Sequence, residues 1–239
     1  MSAVAGPGGV WVVVPAAGRG ARAGGEVPKQ YRILLGRPMI EHSLRALAAH
    51  PRIAGLMVVL AADDARWPGW RELEGKPVRT AIGGAERADS VLAGLDALPE
   101  SVAAADAVLV HDAARPCLSH ADLDALLDCT APHGALLGVP MADTLKRADG
   151  QQCVQETVPR AGLWRALTPQ RFPRGALAQA LRAAARDCVA VTDEAMAMER
   201  AGFRPRLVEG AADNIKVTTP RDFALAEFLL AQRAPEPAA

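Results

Sequence analysis

The sequence predicts one α/β domain built on a doubly wound, mainly parallel sheet, with a β-arm projecting from it. Three observations predict this. Short apolar runs alternate with segments of helical periodicity through most of the chain, the pattern of strand–helix units wound on a parallel sheet. Several of those runs are apolar at every residue rather than at every second one, as strands buried on both faces must be. One stretch, 141–168, breaks the alternation with polar residues that cannot build a core of their own.

The elements follow in order. Residues 10–15 form a central strand, and the loop after it is rich in small residues. Residues 38–50 carry apolar side chains at 40, 44, 47 and 48, helical spacing with Pro38 in the first turn. Residues 56–61 are a second buried strand. Residues 63–73 are expected to be a short helix whose Trp67 and Trp70 pack into the core. Residues 78–82 are a third strand, ending at Gly83 and Gly84. Residues 87–98 are a helix with Val91, Leu92, Leu95 and Leu98 on one face, and 107–110 a fourth strand ending at His111 and Asp112. Ser119 and Asp122 have capping-box spacing for a helix reaching about Thr130, and 135–140 is a fifth strand. Two polar strands joined by a turn at Asp149 and Gly150 make the arm, about 141–164. Helices are expected over 173–187 and 192–202, the second ending at glycine. Strands are expected over 206–209 and 214–217. Thr219 and Pro220 open a last helix that buries Phe223, Leu225, Ala226, Phe228 and Leu229.

No repeat or linker divides the 239 residues, so 1–239 reads as a single domain, with flexible ends at 1–8 and 233–239. The net charge of zero argues against a nucleic-acid partner or a membrane surface. No apolar run approaches the ~20 residues that span a bilayer, and the first residues lack the pattern of a signal peptide. Four dispersed cysteines with no C-x-x-C pair are expected to be reduced thiols of a cytoplasmic protein. The five histidines form no ligand pair at helical spacing, so zinc is not expected. Only four of the 27 basic residues are lysines, at 29, 76, 146 and 216. In a chain that otherwise uses arginine, a retained lysine points to a need for a compact ammonium, Lys76 in its turn excepted.

The loop after the first strand carries the chemistry. Glycines at 18, 20, 24 and 25 allow backbone N–H groups to converge, and Arg19, Arg22 and Lys29 bring positive charge to the same place. That combination suits a phosphate chain. Gly18-x-Gly20-x-x-Ala23 matches the dinucleotide fingerprint only formally, because the loop runs on to Pro28 before any helix begins and no acid ends a second strand at the required distance. The Walker pattern is absent.

The ordered motifs resemble those of the sugar-phosphate nucleotidyltransferases, and more closely of the 2-C-methyl-D-erythritol 4-phosphate cytidylyltransferase family of the non-mevalonate isoprenoid pathway. They are Pro15-Ala-Ala-Gly-x-Gly-x-Arg22 with Pro28-Lys29-Gln-Tyr, then Gly83-Gly-Ala-Glu-Arg-Ala-Asp-Ser-Val91, His111-Asp-Ala-Ala-Arg-Pro116 and Asp143-Thr-Leu-Lys146. Ala166-Leu-Thr-Pro-Gln170, Thr192-Asp-Glu194 and Asp213-Asn-Ile-Lys-Val217 follow. The resemblance spans residues 11 to 230 and implies a Rossmann-like nucleotidyltransferase sheet.

It also implies a reaction in which a phosphate oxygen of 2-C-methyl-D-erythritol 4-phosphate attacks the α-phosphorus of CTP in line and pyrophosphate leaves. Arg22 and Lys29 would hold the triphosphate, with the backbone of Pro15, Ala16, Ala17, Gly18 and Gly20 around it. Gly84 and Ser90 would receive the cytosine, since Ala85 stands where some relatives carry an acid. Asp112 would hold Mg²⁺, the expected cofactor, and Arg115 would face the substrate phosphate. Thr144 and Arg160 on the arm would reach the site of a second subunit in a homodimer, although Pro159 replaces the usual acid before Arg160. Thr168, Thr192 and Lys216 would complete the acceptor pocket, with Lys216 orienting the attacking phosphate. The residues alone leave two alternatives open: transfer to another polyol phosphate such as ribitol 5-phosphate, and a CTP-binding module without turnover.

Overall fold

A computed structural model of the chain describes residues 9–18 and 27–233. The expectations for residues 1–8, for Arg19, Gly20, Arg22, Gly24 and Gly25, and for 234–239 therefore lie outside the described residues.

Among those residues the chain runs through β1 (Val10–Pro15), a single 3-10 turn (Lys29–Tyr31), β2 (Ile33–Leu34), β3 (Arg37–Pro38), α1 (Met39–Ala48), β4 (Ile53–Leu60) and β5 (Glu72–Leu73). It continues through β6 (Lys76–Ile82), α2 (Arg87–Asp96), β7 (Ala107–Val110), α3 (His120–Asp128), β8 (Ala135–Pro140), β9 (Leu145–Ala148) and β10 (Val154–Val158). The last elements are β11 (Trp164–Pro173), α4 (Arg174–Arg186), α5 (Glu194–Arg200), β12 (Arg206–Glu209) and α6 (Pro220–Arg233).

Eight strands make one sheet in the order β12-β8-β11-β7-β1-β4-β6-β5. The pairs β7–β1, β1–β4, β4–β6 and β12–β8 are parallel, so the doubly wound, mainly parallel sheet expected from the sequence is what the chain forms. Both faces are covered. Val10, Val12 and Val14 point to one side, where α1 supplies Ile40, Leu44 and Leu47 and α3 supplies Leu123 and Leu126. Val13 points to the other, where α2 supplies Val91 and Leu95, α4 Leu177 and Leu181, and α5 Met198. This double burial is why β1 and β4 carry no polar face. Among the described residues no helix is long and apolar enough to cross a membrane.

Several expectations need correction. Residues 63–73 are not a helix: Pro68 has no N–H to donate, Gly69 takes φ +75°, and the segment is a loop that ends in β5. Trp67 and Trp70 do pack against the core, edge to face with centroids 5.1 Å apart. Residues 214–217 are a loop, not a strand. In α6 only Phe223 and Ala226 are buried, whereas Leu225 and Phe228 face outward. Residue 233 is not part of a flexible end: it closes α6, where Arg233 donates to the Cys117 carbonyl at 2.7 Å and meets Asp213 at 2.6 Å. The helix expected over 192–202 runs only over Glu194–Arg200, with Asp193 as its cap accepting from the Met196 N–H at 2.9 Å.

Sequence reading also missed β11. It enters antiparallel between β7 and β8 and is the one strand of the described sheet centre that buries polar side chains: Thr168, Gln170 and Arg171. Between β8 and β11 the chain leaves the sheet as the arm. There β9 and β10 pair antiparallel, and the Asp149 carboxylate accepts from the N–H groups of Gln151 and Cys153 at their turn.

Candidate active site

Strand order reverses at β1, whose neighbours are β4 on one side and β7 on the other. In an open α/β sheet the crevice at such a point, outside the carboxyl ends of the strands, is where ligands bind. A cavity of about 520 Å³ opens there. Pro15, Ala16, Ala17 and Gly18 line it from the end of β1, Gly84, Ala85, Arg87 and Ser90 from the turn into α2, and Asp112 from the end of β7. Lys29 and Lys216 complete the wall.

Local sequence explains each placement. The Gln30 side chain donates to the Ala16 carbonyl at 2.9 Å, and the Tyr31 hydroxyl donates to Asp64 at 2.7 Å. The 3-10 turn is thereby pinned to the ends of β1 and β4, which holds Lys29 at the cavity. Its ammonium donates to the Val217 carbonyl at 3.2 Å, beside Lys216. Gly83 is required by close approach: a Cβ there would lie 2.6 Å from the Ser90 hydroxyl and 2.8 Å from the Ala17 Cβ. A capping box of Glu86 and Asp89 starts α2 so that Arg87 occupies its first turn.

The floor is a cluster of charge centred on Asp112, which is 7 % exposed. Arg87 Nε donates to its Oδ1 at 3.1 Å, Lys216 Nζ lies 2.9 Å from its Oδ2, and Arg115 Nε is 3.6 Å from the same oxygen. Burial opposes ionisation of this carboxyl, but the surrounding cations outweigh it and hold it well below the usual carboxylate range. Arg87 reaches across to Glu194, with Nη1–Oε1 2.5 Å and Nη2–Oε2 3.2 Å. Burial pushes the Glu194 carboxyl up and Arg87 pulls it back. Beneath Asp112, His111 is fully enclosed between the Arg115 carbonyl and Thr168 Oγ1, each at 3.1 Å, and burial pushes its imidazole down to about 4.

Of the residues predicted from sequence, Pro15, Ala16, Ala17, Gly18, Lys29, Gly84, Ser90, Asp112 and Lys216 meet at this cavity. Arg115 and Thr168 do not line it. Arg115 is buried behind the floor, donating to the Asn214 carbonyl at 2.8 Å, and Thr168 Oγ1 accepts from the Asp112 N–H at 3.0 Å. Thr192 is exposed near the start of α5, its hydroxyl 3.6 Å from Met196 Sδ. Thr144 and Arg160 are exposed on the arm and do not line the cavity. Arg87 and Glu194 were missed as site residues. Both stand inside the motifs quoted above, but nothing in the sequence pairs residues 107 positions apart.

A phosphate-sized anion entering this cavity would meet Lys29, Lys216 and Arg87 together, and the Asp112 carboxylate beside Lys216 and Arg87 is held in its ionised form. Doubly wound sheet, switch-point cavity and converging cations without a dinucleotide fingerprint define a nucleotidyltransferase. The family model of 2-C-methyl-D-erythritol 4-phosphate cytidylyltransferase (IspD) matches residues 10–232. The chain belongs to that family. A protein of this name from Stenotrophomonas maltophilia is 60% identical over 227 residues, covering 94% of this chain and 98% of that protein. One from Xanthomonas oryzae pv. oryzae is 59% identical over 228 residues, covering 95% and 84%. The solved structure of the Francisella tularensis enzyme of this name is 30% identical, with a TM-score of 0.78 over 92% of this chain and 99% of that one.

Proposed function

We propose that the chain transfers the cytidylyl group of CTP to 2-C-methyl-D-erythritol 4-phosphate. A phosphate oxygen of the acceptor forms a bond to the α-phosphorus, the bond from that phosphorus to the leaving oxygen breaks, and pyrophosphate departs. The observation that carries the reading is the convergence of Lys29, Lys216 and Arg87 on the cavity at the β1–β7 switch point, the last two paired with Asp112, in a chain of this family.

Two anions must be brought together, so the protein's work is to neutralise and align them. Lys29, together with Arg22, holds the triphosphate. Gly84 and Ser90 receive the base. Lys216, fixed by Asp112, orients the attacking phosphate, and Thr192 and Thr168 belong to the acceptor side, Thr168 by holding Asp112. Arg115 acts from behind the floor by steadying Asp112 and the loop of Asn214.

Magnesium fits as an ion that arrives with the nucleotide. Among the described residues no group of three or more His, Cys, Asp and Glu side chains could cage a metal. Mg²⁺ however needs only one or two carboxylates when phosphates and water complete its shell. Asp112 is held ionised and would supply one, by exchanging one of the cations that now meet its oxygens, Arg87 at Oδ1 or Lys216 at Oδ2. The ion would add to the neutralisation of phosphate charge. The arm, with Val154 and Leu163 exposed beside Thr144 and Arg160, serves a homodimer in which it reaches the neighbouring subunit's acceptor site. The four free cysteines, two of them exposed, suit a reducing cytoplasm.

The test is incubation with CTP, Mg²⁺ and 2-C-methyl-D-erythritol 4-phosphate, reading pyrophosphate, with ribitol 5-phosphate as a second acceptor. Release with the methylerythritol phosphate and far less with the ribitol phosphate is expected. Equal release with both would remove the assigned specificity.

A further inference from the structure

A chain of alternating charge runs behind the cavity. Glu194, the first residue of α5 and 1 % exposed, accepts from both terminal nitrogens of Arg87. Arg87 gives its Nε to Asp112 Oδ1, and Asp112 Oδ2 meets Lys216 Nζ. Glu194 does not line the cavity, yet two groups connect it to the lysine that does. Strand β11 sets its place. Gln170 accepts from the Ala195 N–H at 2.8 Å and donates to Asp193 at 3.0 Å, while Thr168 of the same strand accepts from the Asp112 N–H. A buried ion pair of this kind contributes little net stability compared with apolar packing, so its arrangement asks for another role.

We infer that Glu194 is a positioning residue for the reaction, acting through Arg87 on Asp112 and Lys216. The inference rests on the activity proposed above. With Glu194 ionised, Nη1 of Arg87 is held on α5, Nη2 is shared between Glu194 Oε2 at 3.2 Å and Asp112 Oδ1 at 3.0 Å, and Asp112 Oδ2 faces Lys216 with Arg115 Nε 3.6 Å away. Without that charge the Arg87 fork is free to close on Asp112 through two parallel hydrogen bonds, the favoured arginine–carboxylate geometry. Oδ2 is then occupied and Lys216 loses the contact that fixes its ammonium. The nucleotide side, formed by Pro15–Gly18, Gly84 and Ser90, is untouched by this change. The loss therefore falls on turnover rather than on CTP binding.

Glu194→Gln keeps the size and removes the charge. We expect kcat to fall about 10- to 100-fold with the KM for CTP within about twofold of wild type, the scale of a sub-ångström to ångström misplacement of a reacting group. Arg87→Lys, which removes the fork, should lower kcat similarly. The double variant should be no worse than the worse single one, because both break the same chain. A wild-type kcat for Glu194→Gln, a rise in CTP KM as large as the fall in kcat, or losses that multiply in the double variant would each overturn the inference. Should Glu194→Gln not fold, Arg87→Lys decides alone, and an unchanged kcat overturns it. A wild-type protein that releases no pyrophosphate at all defeats the underlying activity instead, and this inference with it.

Discussion

Gly94 in α2 couples core packing to the site, because the helix that it seats on the sheet also carries Arg87 and Ser90. A Cβ at this position would lie 2.5 Å from Val13 Cγ1 and 2.7 Å from Val59 Cγ2, about 1 Å inside the usual ~3.5–4.0 Å carbon contact. Two effects oppose each other in Gly94→Ala. Helix propensity favours alanine by about 1 kcal/mol. Overpacking costs about 1–3 kcal/mol. The clash should take the upper end of that range. Val13 and Val59 are fully buried on the paired strands β1 and β4, and a β-branched side chain has few rotamers to yield into. The net expectation is a loss of about 2 kcal/mol, which for a chain of this size lowers Tm by roughly 4–8 °C. The helix must also lift from the sheet, and its first turns carry Arg87 and Ser90, so turnover should fall in the folded variant. Urea unfolding should show a lower midpoint at an unchanged m-value. A variant as stable as wild type, with full turnover, would refute the reasoning.

Two further outcomes follow from buried titratable groups. Burial pushes the His111 imidazole from 6.5 down to about 4. Between those values the unfolded chain binds a proton that the folded protein refuses, so this group's contribution is present above pH 6.5 and lost as pH falls towards 4. It amounts to about 3 kcal/mol, and urea unfolding at pH 7 and pH 4.5 should differ less in His111→Gln than in wild type; an equal difference would exclude the histidine as the cause. Burial also pushes the Cys117 thiol up to about 11, whereas Cys153 and Cys188 are exposed. Since the thiolate is the reactive form, iodoacetamide at pH 8 should label Cys153 and Cys188 and reach Cys117 only after unfolding. Equal labelling rates would contradict that burial.

Much of the architecture was legible because its physics is local. The unbroken apolar runs of β1, β4 and β7 announce strands covered on both faces, and Ser119 marks the start of α3 by accepting from the Asp122 N–H as its spacing predicts. The failures are where tertiary demands override local pattern. β11 looks too polar for a central strand because Thr168 and Gln170 are spent on hydrogen bonds to Asp112, Asp193 and Ala195. The apolar residues of 63–73 suggested a helix, but Pro68 and Gly69 decide the backbone. In the site, Lys29 and Lys216 stood out by their rarity among arginines. Arg87 and Glu194 did not, since only the folded sheet brings residues so distant in sequence together.

This cavity is predicted to join a cytidylyl group to 2-C-methyl-D-erythritol 4-phosphate, with Lys29 holding the nucleotide's phosphates. The most direct test is pyrophosphate release from CTP, Mg²⁺ and that acceptor by wild-type protein and by folded Lys29→Ala. Release by wild type, dependent on the acceptor and reduced at least about 100-fold in the variant as for loss of a charged transition-state contact, is the predicted result. No release by wild type above the Lys29→Ala level would contradict the account.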